Sequence, residues 1–245
     1  GSASFYIRSG GIVLDANVTM KNVVLELANN YHNAIFVNGH SFTAKNVTRG
    51  HGFREVHLFA GGIGQVAQLT SVNLPTPGNS AVLNLQNSTF GNIYAGGVAT
   101  GYTGAVSVAV EKSTVGTIYG SGANESVPDG DWFNTTELPA PEVNAAYSVT
   151  GTVRVTLTNP PSNLTVDGSG ANDLAVDVST VYSTPMALPN VKKLNVTSGT
   201  VELSNHSPEL AVTLTGANTA IDLSKSTGGK TIASLSGGGT VMVGV

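Results

Sequence analysis

Between Ala123 and Ala146 the chain gathers Asp129, Asp131 and Trp132 within four residues, flanked by Glu125, Glu137 and Glu142. The segment holds five of the fifteen acidic residues, the only tryptophan and three of the ten prolines. Carboxylates beside an indole admit two kinds of carbohydrate chemistry. In one, the indole stacks on a pyranose face and the carboxylates bond its hydroxyls. In the other, Asp129 and Asp131 are a glycosidase pair, one the acid and the other the base or nucleophile. Two residues apart on an extended strand, they would face one groove at a separation suited to retaining enzymes. A calcium loop is a third option, but the run lacks the ligand spacing and closing Glu of an EF-hand. The plain alternative is a solvated, proline-rich loop with Trp132 tucked against the scaffold.

A second polar cluster runs from Arg49 to His57 and contains Gly50-His51-Gly52. Gly-His-Gly also occurs in β-helical polygalacturonases, but the Asn-Thr-Asp, Asp-Asp and Arg-Ile-Lys signatures of that family are missing. His51 and His57 have no third ligand at a credible spacing, so a metal site is not indicated. The segment reads as a polar connecting loop, with Arg54 and Glu55 solvated and His57 on the outside of its strand. His32 and His40 read as corner residues. No nucleophile elbow, P-loop or dinucleotide fingerprint appears.

The scaffold carrying these segments repeats itself. Leu83, Leu85, Ser88-Thr89-Phe90-Gly91, Ile93-Tyr94 and Gly97 match Val108, Val110, Ser113-Thr114-Val115-Gly116, Ile118-Tyr119 and Gly122. Short alternating apolar stretches at a fixed step, with glycine corners, are the mark of a solenoid. An apolar–aromatic pair followed by small residues occurs three times, at Leu58-Phe59, Ile93-Tyr94 and Ile118-Tyr119. The aliphatic member should point inward and the aromatic member should stack on its equivalents. Later stretches such as Val153–Leu157, Leu174–Val178, Leu194–Val196 and Leu210–Leu214 alternate with period two, one face apolar and one polar. No window carries a sustained 3.6-residue period, so almost no helix is expected. Gly97–Gly104, with Tyr102 between glycines, reads as a second flexible protrusion on the same side as 123–146. Asn-x-Ser/Thr tripeptides at Asn17, Asn46, Asn87, Asn124, Asn134, Asn163, Asn195 and Asn205 are glycosylation acceptors in form. Their places at strand ends favour Asn for the corner and Thr for the next strand.

Composition narrows the classes further. Only 11% of the 245 residues are charged, thirty are glycine, and the net charge is −4. Eleven scattered Lys and Arg, with Lys192-Lys193 the one adjacent pair, argue against a nucleic-acid partner. With no cysteine, disulfides and thiolate metal sites are excluded. No stretch approaches the roughly 18 apolar residues of a membrane span, so no membrane insertion is expected. Open terminal coils would expose strand edges, which makes an excised module of a longer protein the expectation.

Ala34-Ile35-Phe36-Val37-Asn38-Gly39-His40, then Asn46-Val47-Thr48, then Leu58-Phe59-Ala60-Gly61-Gly62 carry a resemblance. The sequence resembles the right-handed parallel β-helix regions of large cell-surface proteins from gut Firmicutes. The match covers about residues 10–125, and its motifs mark fold and location more than activity. The resulting expectation is one right-handed parallel β-solenoid spanning residues 1–245, of eight to ten coils if each uses roughly 20–30 residues. It would be extracellular, adhesin-like and monomeric as a module. It would need no cofactor (calcium aside) and would contact glycans or a host glycoprotein through Trp132, Asp129, Asp131, Tyr102, Tyr94 and Tyr119. A glycoside hydrolase using Asp129 and Asp131, or a passive stalk, are the alternatives. Binding predicts a glycan-array signal lost in Trp132→Ala and kept in Asp129→Asn/Asp131→Asn. Reducing-sugar release abolished by the double variant would assign hydrolysis instead.

Overall fold

Alternating apolar residues become strands β1 (Ala3–Ile7), β2 (Gly11–Val13), β3 (Val18–Leu27), β4 (Asn33–Phe36) and β5 (Ser41–Arg49). Next come β6 (Val56–Phe59), β7 (Ser80–Gln86), β8 (Ile93–Tyr94), β9 (Ala105–Glu111) and β10 (Ile118–Tyr119). A short pair, β11 (Gly122–Ala123) and β12 (Val143–Asn144), precedes β13 (Val149–Thr158), β14 (Leu164–Asp167), β15 (Ala171–Leu188) and β16 (Lys193–His206). The last four are β17 (Ala211–Leu214), β18 (Thr219–Asp222), β19 (Ser234–Gly237) and β20 (Thr240–Met242). This is a computed structural model, and it describes residues 3–7, 11–27, 33–50, 55–64, 78–124, 142–227 and 229–244. Among the described residues there is no helix.

All strand pairings are parallel except that of β11 with β12. They form two ladders that the chain visits in turn. The first runs β1, β3, β5, β7, β9, β13, the leading halves of β15 and β16, then β17 and β19. The second runs β2, β4, β6, β8, β10, β14, the trailing halves of β15 and β16, then β18 and β20. The result is a curled, solenoid-like parallel sheet. The 25-residue repeat is one circuit of it: Leu83 pairs with Val108, and Ile93 with Ile118.

Each ladder turns more than one column of apolar side chains inward. Phe42, Leu83, Val108, Val155, Val176, Leu194 and Val212 stand in register in the first. Ile35, Leu58, Ile93, Ile118 and Val166 stand in register in the second. Both columns belong to a single continuous core. Burying such a Leu or Ile contributes roughly 1.5–3 kcal/mol, and every rung repeats the gain.

A column of kinks runs through the first ladder. Asn22, Asn46, Asn87, Lys112 and Asn159 fall at equivalent positions, all with φ between 47° and 54°. Asn tolerates this left-handed conformation because its short amide bonds locally. Here the amides also bond one another, Asn46 Nδ2 to Asn22 Oδ1 at 2.9 Å and Asn87 Nδ2 to Asn46 Oδ1 at 3.4 Å. Asn87 and Asn163 are thus corner residues, as their tripeptides implied, whereas Asn46 kinks within β5 and Asn195 and Asn205 lie within β16. Lys112 is the exception in the column: it adopts the strained conformation without an amide to share. Lys112→Asn should therefore raise stability by about 1 kcal/mol, read as a higher denaturation midpoint with an unchanged denaturant slope.

Candidate functional site

The two ladders meet at two corners, and the corner leading from the second ladder back to the first carries the larger excursions. Successive rungs are 24 residues apart near the start, but Asn46 meets Asn87 41 residues on. The extra chain leaves after β6 and again after β10. Between these departures the corners stack backbone on backbone. A Cβ added at Gly61 would lie 2.8 Å from the Gly97 nitrogen, and one at Gly96 2.5 Å from that of Gly122. Only glycine permits that approach.

On the outer face of the second ladder, the aromatic members of the repeated pairs form a ladder of rings. Phe36 stacks on Phe59 at 5.0 Å, Phe59 on Tyr94 at 4.5 Å, and Tyr94 on Tyr119 at 5.1 Å between centroids. This is the stacking that the repeats predicted, with Ile93 and Ile118 inward. The rings are nonetheless covered. Val98, Ala123 and, partly, Ile63 and Val143 pack with them in a second apolar cluster. Tyr94 is fully buried. Its hydroxyl accepts a 3.2 Å bond from Asn92 Nδ2, and burial pushes its phenol well above the ordinary value near 10.

The sequence-derived contacts divide accordingly. Tyr94 and Tyr102 are not surface residues. Tyr102 is 6% exposed, pairs in parallel with Val149, and donates its hydroxyl to the Gly78 carbonyl at 3.0 Å. Burial raises its phenol too. Residues 97–104 are likewise no free protrusion, because Val98 bridges Ile63 on one side and Ala123 on the other. His57 does share the outer face of its strand with Phe59 but is 1% exposed, its Nδ1 accepting the Asn92 N–H at 2.9 Å. Tyr119 is half-buried at the end of the ring ladder. Trp132, Asp129, Asp131, His32 and His51 lie outside the described residues.

What is described of the acidic insertion is its base. Gly122 and Ala123 pair antiparallel with Asn144 and Val143, and Asn144 Nδ2 bonds Asn124 Oδ1 at 2.6 Å. The returning limb turns at Asn144 and enters β13, where the Val149 N–H bonds the Gly170 carbonyl at 2.9 Å. Beside it opens a shallow groove of about 530 Å³. Ala145, the turn Gly168–Ala171, Asn190, Lys192 and the turn Ser207–Glu209 line it, so four successive passages of one corner contribute. At its rim Asp167 Oδ1 accepts the Ser169 N–H at 2.9 Å, the Ser169 hydroxyl at 2.8 Å and Asn190 Nδ2 at 3.0 Å. Asp167 itself stands in register with Tyr119, so this fixed polar cluster begins where the ring ladder stops. Lys193 bonds Asp173 at 2.8 Å, whereas Lys192 has no carboxylate within ion-pair distance among the described residues.

Among the described residues one carboxylate pair is in register, Glu202 with Asp222 on the outer face of the second ladder. The Ser183 hydroxyl and Lys225 hold Glu202 below the usual carboxylate range, and bonds from Ser224 do the same for Asp222. Two groups that both stay ionised cannot divide acid and base roles between them. Among the described residues no group of three His, Asp or Glu is placed to hold a metal.

Sequence reasoning did not find the groove. Asp167, Ser169, Asn190 and Glu209 are spread over three passages of one corner, and only stacking gathers them. No family model, curated protein or solved structure matches this chain.

The Tyr94 phenol has a measurable consequence. Below about pH 10 folded and unfolded chains both keep its proton, and stability there is untouched. Above that pH the unfolded chain ionises first, so stability falls as pH rises. Tyr94→Phe removes this liability and should move the alkaline unfolding midpoint, followed by circular dichroism, to higher pH.

Proposed function

We propose that this chain is a right-handed parallel β-solenoid of eight to ten coils, a module of an extracellular, adhesin-like bacterial surface protein that binds glycans. The ligand lies in the groove at the foot of the acidic insertion, with Trp132, Asp129 and Asp131 of that insertion as further candidate contacts. The module acts as a monomer without a cofactor. The observation that carries this reading is the groove's lining. Neutral hydrogen-bonding side chains, Ser169, Asn190 and Ser207, are spaced along one corner with a single Lys and a single Glu.

Carbohydrates need many directional hydrogen bonds and little net charge. The Asp167–Ser169–Asn190 cluster is already bonded to itself, so its free donor and acceptor positions point one way before a ligand arrives. An open, shallow, polar trough supports an extended oligosaccharide over a small enclosed substrate.

The test is direct. In titrations against any oligosaccharide selected on a glycan array, Lys192→Ala/Glu209→Ala should weaken affinity at least tenfold with the melting temperature unchanged. Undiminished affinity in that variant would remove the groove from the binding surface, and sugar release by the parent protein would replace binding with hydrolysis.

A further inference from the structure

The opposite corner, from the first ladder to the second, carries a feature that neither the core nor the groove uses. Val181 and Tyr182 are 71% and 76% exposed. Of the tyrosines whose side chains are described, Tyr94 and Tyr102 are buried and Tyr119 and Tyr147 half-buried, so Tyr182 alone faces solvent.

This exposure is built in by the backbone. Within β15, Ser179 pairs with Ser198 and Ser183 with Thr200, so Thr180, Val181 and Tyr182 lie opposite Gly199 alone. The surplus residues bulge outward. Thr180 and Thr184, 3% and 4% exposed, clamp the bulge from inside with hydroxyls 3.0 Å apart. Thr180 Oγ1 accepts the Tyr182 N–H at 3.2 Å and donates to the Tyr182 carbonyl at 3.0 Å. Asn159 Oδ1, from the preceding rung, accepts the Val181 N–H at 3.0 Å. Two hydroxyls are thus desolvated, with their bonds satisfied, to hold an aromatic ring in water. Bulges of this kind re-aim side chains, and satisfied buried networks fix one geometry.

The surroundings identify what such a ring would meet. The next residue, Ser183, donates its hydroxyl to Glu202, whose other oxygen lies 3.3 Å from Lys225 Nζ. Asp222 stands in register beside Glu202. A flat ring next to fixed carboxylate acceptors matches a pyranose, apolar on its C–H face and polar around its rim. Two exposed apolar side chains fall far short of the roughly 800 Å² per partner that a stable protein interface requires.

We propose that the Val181–Tyr182 knuckle is a second carbohydrate subsite, with one pyranose ring stacking on Tyr182 and its hydroxyls bonding the Ser183–Glu202 side. It shares its ligand class with the groove reading but stands on the other corner, so the two can fail separately. Saturation-transfer NMR on the intact chain tests it with methyl β-glucoside, methyl β-galactoside and N-acetylglucosamine as probes. At least one probe should receive saturation on its ring C–H protons. Tyr182→Ala should cut that signal at least fivefold without lowering the melting temperature, Tyr182→Phe should keep it, and Asn190→Ala should leave it intact. No transfer to any of the three probes overturns the subsite. So does a signal that survives Tyr182→Ala, and one lost only in Asn190→Ala assigns binding to the groove instead.

Discussion

In-register parallel pairing makes the neighbours of almost every side chain its own equivalents one rung above and below. A side chain that can tolerate its own kind at about 4.8 Å is therefore favoured at each position. Rings stack on rings from Phe36 to Tyr119, and amides bond amides from Asn22 to Asn87. The burial of the core has the same origin. Leu235 shares a column with Val212, yet Val212 is 1% exposed and Leu235, with only one rung packed against it, is 50% exposed. Stability in such a stack is a sum of interfaces between adjacent rungs.

That arithmetic separates holding from presenting. Inward columns need only be apolar and of steady volume, and they are Val, Leu and Ile almost throughout. Corners need only return the chain to register. The corners also lend residues such as Val37, Phe90, Val191 and Leu210 to the core, and the groove and the Tyr182 knuckle stand at corners too. The polar clusters at both corners are tied across rungs, Asn190 to Asp167 and Asn159 to Val181, so even the excursions inherit the rigidity of the stack.

The same logic explains what the sequence disclosed. Equivalence between Ile93-Tyr94 and Ile118-Tyr119 was visible because stacking enforces similarity, and it correctly forecast both the inward aliphatic column and the outward rings. Period two reports which face a residue takes, but not whether something covers that face. For this reason Tyr94, Tyr102 and His57 read as accessible and are buried. The groove was illegible because its parts lie on four passages of one corner, each an unremarkable turn. Tyr182 was obscured because β15 continues through its corner. The break in alternation at Val181-Tyr182 was the available signal.

The spacing between matched rungs varies from 17 residues at Met186 and Leu203 to 48 at Ile118 and Val166, with no loss of pairing on either side. Chain length at a corner is thus decoupled from the integrity of the spine. Segments of foreign sequence can be exchanged at these junctions one at a time, much as fittings are changed on a rail, and each would be displayed at a fixed height set only by the rung that bears it.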